Sequence, residues 1–226
     1  MRIGLLQTGH APDEITPETG DFDAMFRRLL DGQDFTFHTW NVVDMDFPDG
    51  PEAADGWLIT GSRHGAYEDH TFIPPLEDLI RDIYASARPM VGVCFGHQII
   101  AQALGGRVEK FAGGWAVGSQ TYDFEGKTVT LNAWHQDQVV ERPPTAQVVS
   151  SNAFCENAAL LYGTRAFTVQ AHPEFESDMV EGLIAYRSST VPKVLVEEAQ
   201  QKLDHKTSNA LFAKRISEFF KQAAPS

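Results

Sequence analysis

The stretch that most constrains this chain is Gly92-Val93-Cys94-Phe95-Gly96. An apolar run, Pro89 to Val93, leads into it, and a helix-period segment, Gly96 to Leu104, follows it. A cysteine flanked by glycines at a strand-to-helix junction is the setting of a nucleophile elbow, the G-x-S-x-G logic with sulfur in place of oxygen. So sharp a turn crowds the nucleophile's neighbours, which is why glycines flank it, and it lifts the thiol clear of the sheet. At the start of a helix the thiol also meets a partial positive charge that favours the thiolate. The amide of Phe95 would face an oxygen that gains negative charge on attack. The other reading of such a residue is a buried, inert cysteine.

A thiolate needs a base. Of eight histidines, His172 stands out, because Thr168-Val169-Gln170-Ala171-His172-Pro173-Glu174 ends an apolar strand in His-Pro-Glu. Proline holds the preceding residue away from helix. Glu174, two residues on, can bend back to orient the imidazole. Alone this would be a polar surface turn; paired with the cysteine elbow it points to catalysis. An oxyanion site is available where Ile59-Thr60-Gly61-Ser62 ends another strand in a glycine turn, whose amides could join that of Phe95.

The rest of the chain fits an α/β pattern. Ile3–Leu6, Phe35–Trp40, Gly56–Thr60 and Pro89–Val93 read as strands. Asp21–Leu30, Pro74–Ala87 and Gly96–Leu104 read as helices. From Gly105 to about Gln170 the texture becomes one of short strands: Val108, Gln120–Phe124, Lys127–Asn132, Gln147–Ser151, Ala159–Tyr162 and Phe167–Gln170, a more antiparallel portion of sheet. After Glu174 the chain turns helical, and Leu211, Phe212, Ile216, Phe219 and Phe220 form one stripe of a closing helix. With no repeat, linker or boundary, residues 1–226 are expected to form a single domain.

Eighteen basic against 31 acidic residues give a formal charge of −13, which argues against nucleic acid or an anionic membrane surface as partner. No apolar run is long enough to span a bilayer and no secretory signal is visible, so a cytoplasmic protein with reduced thiols is expected. The two cysteines suggest neither a disulfide framework nor a zinc motif. Cys155, in a turn-rich stretch, is expected to take no chemical part. No metal-ligand cluster is visible by spacing, and no cofactor is expected.

Gly92-Val93-Cys94-Phe95-Gly96-His97-Gln98 and Val169-Gln170-Ala171-His172-Pro173-Glu174 together resemble the motifs of the class I (triad) glutamine amidotransferase family. The two lie in that order, about 80 residues apart, and the resemblance runs from the first strand to at least Glu174. It implies a flavodoxin-like, mostly parallel sheet flanked by helices, with an additional antiparallel region. It also implies that Cys94 attacks a γ-glutamyl carbonyl, that His172 shuttles the proton, that Glu174 orients it, and that the amides of Gly61 and Phe95 hold the oxyanion. The substrate's glutamyl part would lie near Gln98. Ala133-Trp134-His135-Gln136-Asp137 resembles the family's S-x-x-H-x-D segment, which makes His135 and Asp137 either pocket residues or a polar turn between strands. His97 reads as a helix residue rather than a second base.

Many members carry Gly-Gly-Pro where this chain has Thr60-Gly61-Ser62-Arg63-His64-Gly65. That departure points away from a biosynthetic subunit and toward the free-standing branch that includes γ-glutamyl peptidases. Three readings remain: a glutaminase component serving a synthetase partner, a stand-alone hydrolase of small γ-glutamyl compounds, and a non-catalytic sensor on the same fold. The intact Cys94, His172 and Glu174 set argues against the last. The chain order also departs from an α/β-hydrolase, whose acid precedes its histidine.

Overall fold

The computed structural model describes residues 1–223. Strand β1 (Arg2–Leu6) opens the chain and is followed by the short α1 (Thr16–Thr19), α2 (Phe22–Leu29) and β2 (Thr36–Trp40). Then come β3 (Gly56–Ile59), α3 (Ile73–Ala85), β4 (Met90–Val93) and α4 (Phe95–Ala103). The middle of the chain supplies β5 (Arg107–Lys110), β6 (Ala116–Phe124), β7 (Lys127–His135), β8 (Asp137–Glu141), β9 (Gln147–Ser151), β10 (Ala159–Tyr162) and β11 (Ala166–Val169). Helices α5 (Ser177–Arg187), α6 (Lys193–Gln201) and α7 (Asn209–Ala223) complete it.

Nine strands form one continuous sheet in the order β2-β1-β3-β4-β11-β10-β9-β6-β7, while β5 and β8 pair separately. From β2 to β11 every pairing is parallel; from β11 onward every pairing is antiparallel. The expected antiparallel region is thus an extension of the parallel sheet, joined edge to edge through β11.

Side-chain alternation sets the two faces. Ile3, Leu5, Leu58, Val91 and Val93 point to one core, closed by Phe26 of α2 and Phe212, Ile216, Phe219 and Phe220 of α7. Leu6, Trp57, Ile59 and Met90 point to the other, closed by Leu76, Ile80 and Ile83 of α3 and by Ile99 and Ile100 of α4. Covered on both faces, these strands read as apolar runs without polar alternation, as parallel strands do. Gly4 is required by this packing, since a β-carbon there would lie 2.5 Å from the Trp57 ring. A third cluster joins Ile15, Phe22, Met25, Phe175, Met179 and Leu183 and packs α5 against the start of α2 beyond the carboxyl ends of the strands.

Several details differ from the sequence reading. Leu211 is on the solvent side of α7, 39% exposed, because the buried stripe begins one residue later at Phe212. Strand β8 was not anticipated, and neither were α5 and α6 as separate helices.

Candidate active site

Cys94 follows β4 directly and caps α4 with φ 52° and ψ −104°, a left-handed backbone that a residue with a side chain adopts only under constraint. Three contacts supply the constraint. The Cys94 amide donates to the Val169 carbonyl of β11 at 2.9 Å, the Gln98 amide donates to the Cys94 carbonyl at 3.1 Å, and the Gly96 amide donates to the carbonyl of Thr60, just past β3, at 3.0 Å. Both glycines are sterically obligatory. A β-carbon on Gly92 would lie 2.5 Å from the Gly96 carbonyl oxygen, and one on Gly96 would lie 2.2 Å from that of Ile59.

His172 follows β11 and is held by a backbone bond from its amide to the Asn132 carbonyl at 2.8 Å. Its ring lies flat against Phe175, centroids 3.8 Å apart and planes 6° apart. Nδ1 meets Glu174 Oε1 at 2.6 Å, with both side chains removed from solvent. Burial alone would lower the imidazole's proton affinity, but the Glu174 carboxylate and the Cys94 sulfur overcome it, and the His172 pKa stands above its ordinary value. With Nδ1 bound to the carboxylate, the remaining ring nitrogen is the one available to Cys94.

Two further buried imidazoles are held toward the neutral form by their surroundings. His135 is pushed down to about 4 by burial and by the His172 charge. His97 is pushed down to about 3 by burial and by His135, and its Nδ1 pairs with the Thr168 hydroxyl at 2.8 Å. His97 is therefore a buried residue of α4, as its sequence context suggested.

Cys94, Gln98, His135, Asp137 and His172 all line one cleft of about 640 Å³ at the carboxyl ends of the parallel strands. His135 ends β7 and Asp137 begins β8, so only Gln136 lies in the turn between them. Glu174 lies behind His172, and the cleft wall beside Gly61 is formed by Ser62. Gly61 nevertheless packs tightly here, since a β-carbon on it would lie 3.0 Å from His172 Cε1 and 3.8 Å from Cys94 Cβ. Its carbonyl accepts from the hydroxyls of Thr8 at 3.0 Å and Thr60 at 3.1 Å, which fixes the peptide that follows it. The Phe95 amide is the first of α4 and has no acceptor within the helix.

Sequence reasoning missed several residues of the site. Gln170 is fully buried and donates from Nε2 toward Cys94 Sγ at 3.7 Å, while Gln98 Nε2 donates to Gln170 Oε1 at 3.1 Å and to the Asp137 carbonyl at 2.9 Å. A glutamine closing an apolar strand was the signal available for it. Tyr67 reaches across the cleft mouth and donates to Asp137 Oδ1 at 3.1 Å. Burial and the Asp137 charge push the Tyr67 phenol up to about 12, and burial raises Asp137 itself. The loop carrying Tyr67 also brings together His64, Glu68 and His70, whose ligand atoms lie within 4.8 Å of one another, a grouping that spacing alone did not reveal. Cys155 is buried away from the cleft, and burial pushes its thiol up to about 12, in keeping with the expectation that it is inert.

Among the described residues no helix is long and apolar enough to cross a membrane. A thiol on a constrained turn, a buried imidazole and a carboxylate behind it are the groups that nucleophilic acyl transfer uses. The chain is 28% identical to a glutamine amidotransferase-like protein of Schizosaccharomyces pombe, over 96% of this chain and 97% of that one. It is 26% identical to γ-glutamyl peptidase 4 of Arabidopsis thaliana, over 92% and 90%. The crystal structure of a glutamine amidotransferase from Methylobacillus flagellatus superposes with a TM-score of 0.77 at 20% identity, covering 98% of this chain and 93% of that one, a likeness of fold. The sequence profile of glutamine amidotransferase class-I matches residues 38–184, a span holding both the cysteine turn and the His-Pro-Glu segment, and this chain belongs to that family.

Proposed function

We propose that the protein is a cysteine hydrolase of γ-glutamyl amides, working through a γ-glutamyl thioester on Cys94. The observation that carries this reading is the buried His172–Glu174 pair at 2.6 Å, whose imidazole lines one cleft with a cysteine held at positive φ. The Cys94 thiolate adds to the γ-carbonyl carbon, and the oxyanion is held by the amides of Phe95 and the Gly61 turn. His172 gives a proton to the departing nitrogen as the C–N bond breaks, leaving the thioester. Water, losing a proton to His172, then attacks the thioester, releases glutamate and restores the thiolate. Glu174 keeps the imidazole oriented and supports its cation. Gln98, His135 and Asp137 shape the glutamyl pocket.

A small γ-glutamyl peptide is the favoured substrate over free glutamine. At about 640 Å³ the cleft has space beyond the glutamyl group, and its outer wall carries Phe22, Trp115, Trp134, Met179 and Leu183 as well as Arg63 and Lys110. A leaving group with both carbon skeleton and carboxylate suits such a wall better than ammonia does. A glutaminase supplying a synthetase partner is the other reading of the same chemistry.

The test is glutamate release from L-glutamine and from glutathione by the purified chain, with Cys94→Ala as blank. Faster turnover of the peptide supports the reading. Glutamine turnover with the peptide inert would assign the protein to ammonia supply, and activity equal in the blank would overturn the thioester mechanism.

A further inference from the structure

We propose that His64, Glu68 and His70 form a binding site for a divalent transition cation of the zinc class at the rim of the cleft. All three residues lie in the irregular segment between β3 and α3. Their ligand atoms fall within 4.8 Å of one another, and one carboxylate oxygen faces both rings. Glu68 Oε2 lies 2.8 Å from His70 Nε2 and 3.8 Å from His64 Nδ1. Zinc holds nitrogen and oxygen ligands at about 2.0–2.2 Å, so tetrahedral donors sit roughly 3.3–3.6 Å apart, and the two spacings to Glu68 lie on either side of that value. Two imidazoles and a carboxylate are a donor set suited to zinc and its neighbours rather than to calcium or magnesium, which take mostly oxygen.

The rings are also pre-positioned. His64 and His70 lie with centroids 4.0 Å apart, and both rest on Phe72, at 5.8 and 5.9 Å. Phe72 is buried and packs in turn on Phe95 at 6.0 Å. Holding the imidazoles against a fixed aromatic surface lowers the ordering cost of assembling ligands. A simple surface ion pair would need only Glu68 and His70; the convergence of a second, less exposed imidazole on the same oxygen is what a cation explains.

Three protein ligands leave a coordination position for water or for an oxygen of a molecule in the cleft, since His64 and Glu68 line the same cleft as Cys94. The segment that would be braced begins at the Gly61 turn and ends at Phe72, against the residue whose amide opens α4. Occupancy would therefore stiffen the wall beside the acyl site.

The test is zinc binding to the full chain in a Cys94→Ala background, which removes the thiolate as a competing ligand. Equilibrium dialysis should retain one Zn²⁺ per chain, and adding His70→Ala should weaken retention at least ten-fold. His70 is partly exposed in a loop, and circular dichroism will show the fold of the double variant intact. Co²⁺ in the Cys94→Ala chain should give visible bands of a low-coordinate nitrogen–oxygen site, lost on Glu68→Gln. Failure of the Cys94→Ala chain to retain Zn²⁺, or equal retention by the His70→Ala double variant, would overturn the proposal. Neither outcome bears on the Cys94 mechanism.

Discussion

The amide of Cys94 donates to the carbonyl of Val169 at 2.9 Å, so the last rung between β4 and β11 ties the thiol to a residue three before His172. Parallel pairing of these two strands, with Val93 opposite Val169, is what brings together groups about 80 residues apart in the chain. Sheet order, more than any local contact, assembles the site.

Cys94→Ala should abolish turnover while leaving the fold unchanged. Alanine has the same β-carbon, so it meets the same backbone constraint at φ 52°, and the bonds to Val169 and Gln98 use main-chain atoms. On the proposed mechanism we expect kcat to fall by at least about 10⁴-fold, as for the nucleophile of a covalent hydrolase, with a thermal midpoint close to that of the parent. Glutamate release and a circular-dichroism melt on the same preparation check both halves.

Gly96→Ala should fail for a different reason. Its new methyl would sit 2.2 Å from a main-chain oxygen of β3, which cannot move without disturbing the sheet. Overpacking against backbone costs about 3 kcal/mol, so urea unfolding should show a midpoint well below the parent's and activity should fall with it. Gly50→Ala is the control. Gly50 is extended and its nearest atom to an added β-carbon is the end of the Glu52 side chain at 3.7 Å, so stability should stay within about 0.5 kcal/mol.

That contrast shows why so much was legible beforehand. Glycines flanking a cysteine between an apolar run and a helical period are a steric statement about one turn, and the fold repeats it in the contacts of Gly92 and Gly96. His-Pro-Glu carried the same kind of local information. Other parts depended on neighbours the sequence does not announce. Helix α5 buries Met179, Val180 and Leu183 against Ile15 and α2, but its apolar Ala185 and Tyr186 are exposed, which blurs the pattern in the sequence. Strand β8 is short, with polar ends, and pairs with β5 outside the main sheet. Gln170 and Tyr67 gain their meaning from Cys94 and Asp137, each about 70 or more residues distant.

Glu174→Gln should shift the pH profile downward on its alkaline side. Burial lowers the His172 proton affinity, and the Glu174 carboxylate is the leading group that raises it again. A neutral amide keeps the shape and removes the charge, so the imidazolium loses its proton at lower pH. The alkaline limb of kcat/KM, where the imidazolium form is lost, should therefore move to lower pH, with kcat reduced less than in Cys94→Ala. An alkaline limb unchanged between parent and variant would mean that Glu174 does not set the His172 proton affinity.

Gln98→Ala separates pocket from nucleophile. Both Gln98 amide hydrogens are directed to the protein, to the Asp137 carbonyl at 2.9 Å and to Gln170 Oε1 at 3.1 Å, which leaves its own carbonyl oxygen to accept from a bound glutamyl group. Losing a buried hydrogen bond of this kind costs about 1–3 kcal/mol, so a role in binding predicts KM higher by roughly ten-fold or more with kcat little changed. The same deletion also frees Gln170, whose other end donates toward Cys94 Sγ at 3.7 Å. Were that connection the important one, kcat would fall while KM held. Steady-state kinetics on Gln98→Ala beside Gln170→Ala decide it: a KM effect in the first and a kcat effect in the second place Gln98 on the substrate and Gln170 on the sulfur, and a kcat effect in both removes Gln98 from the pocket.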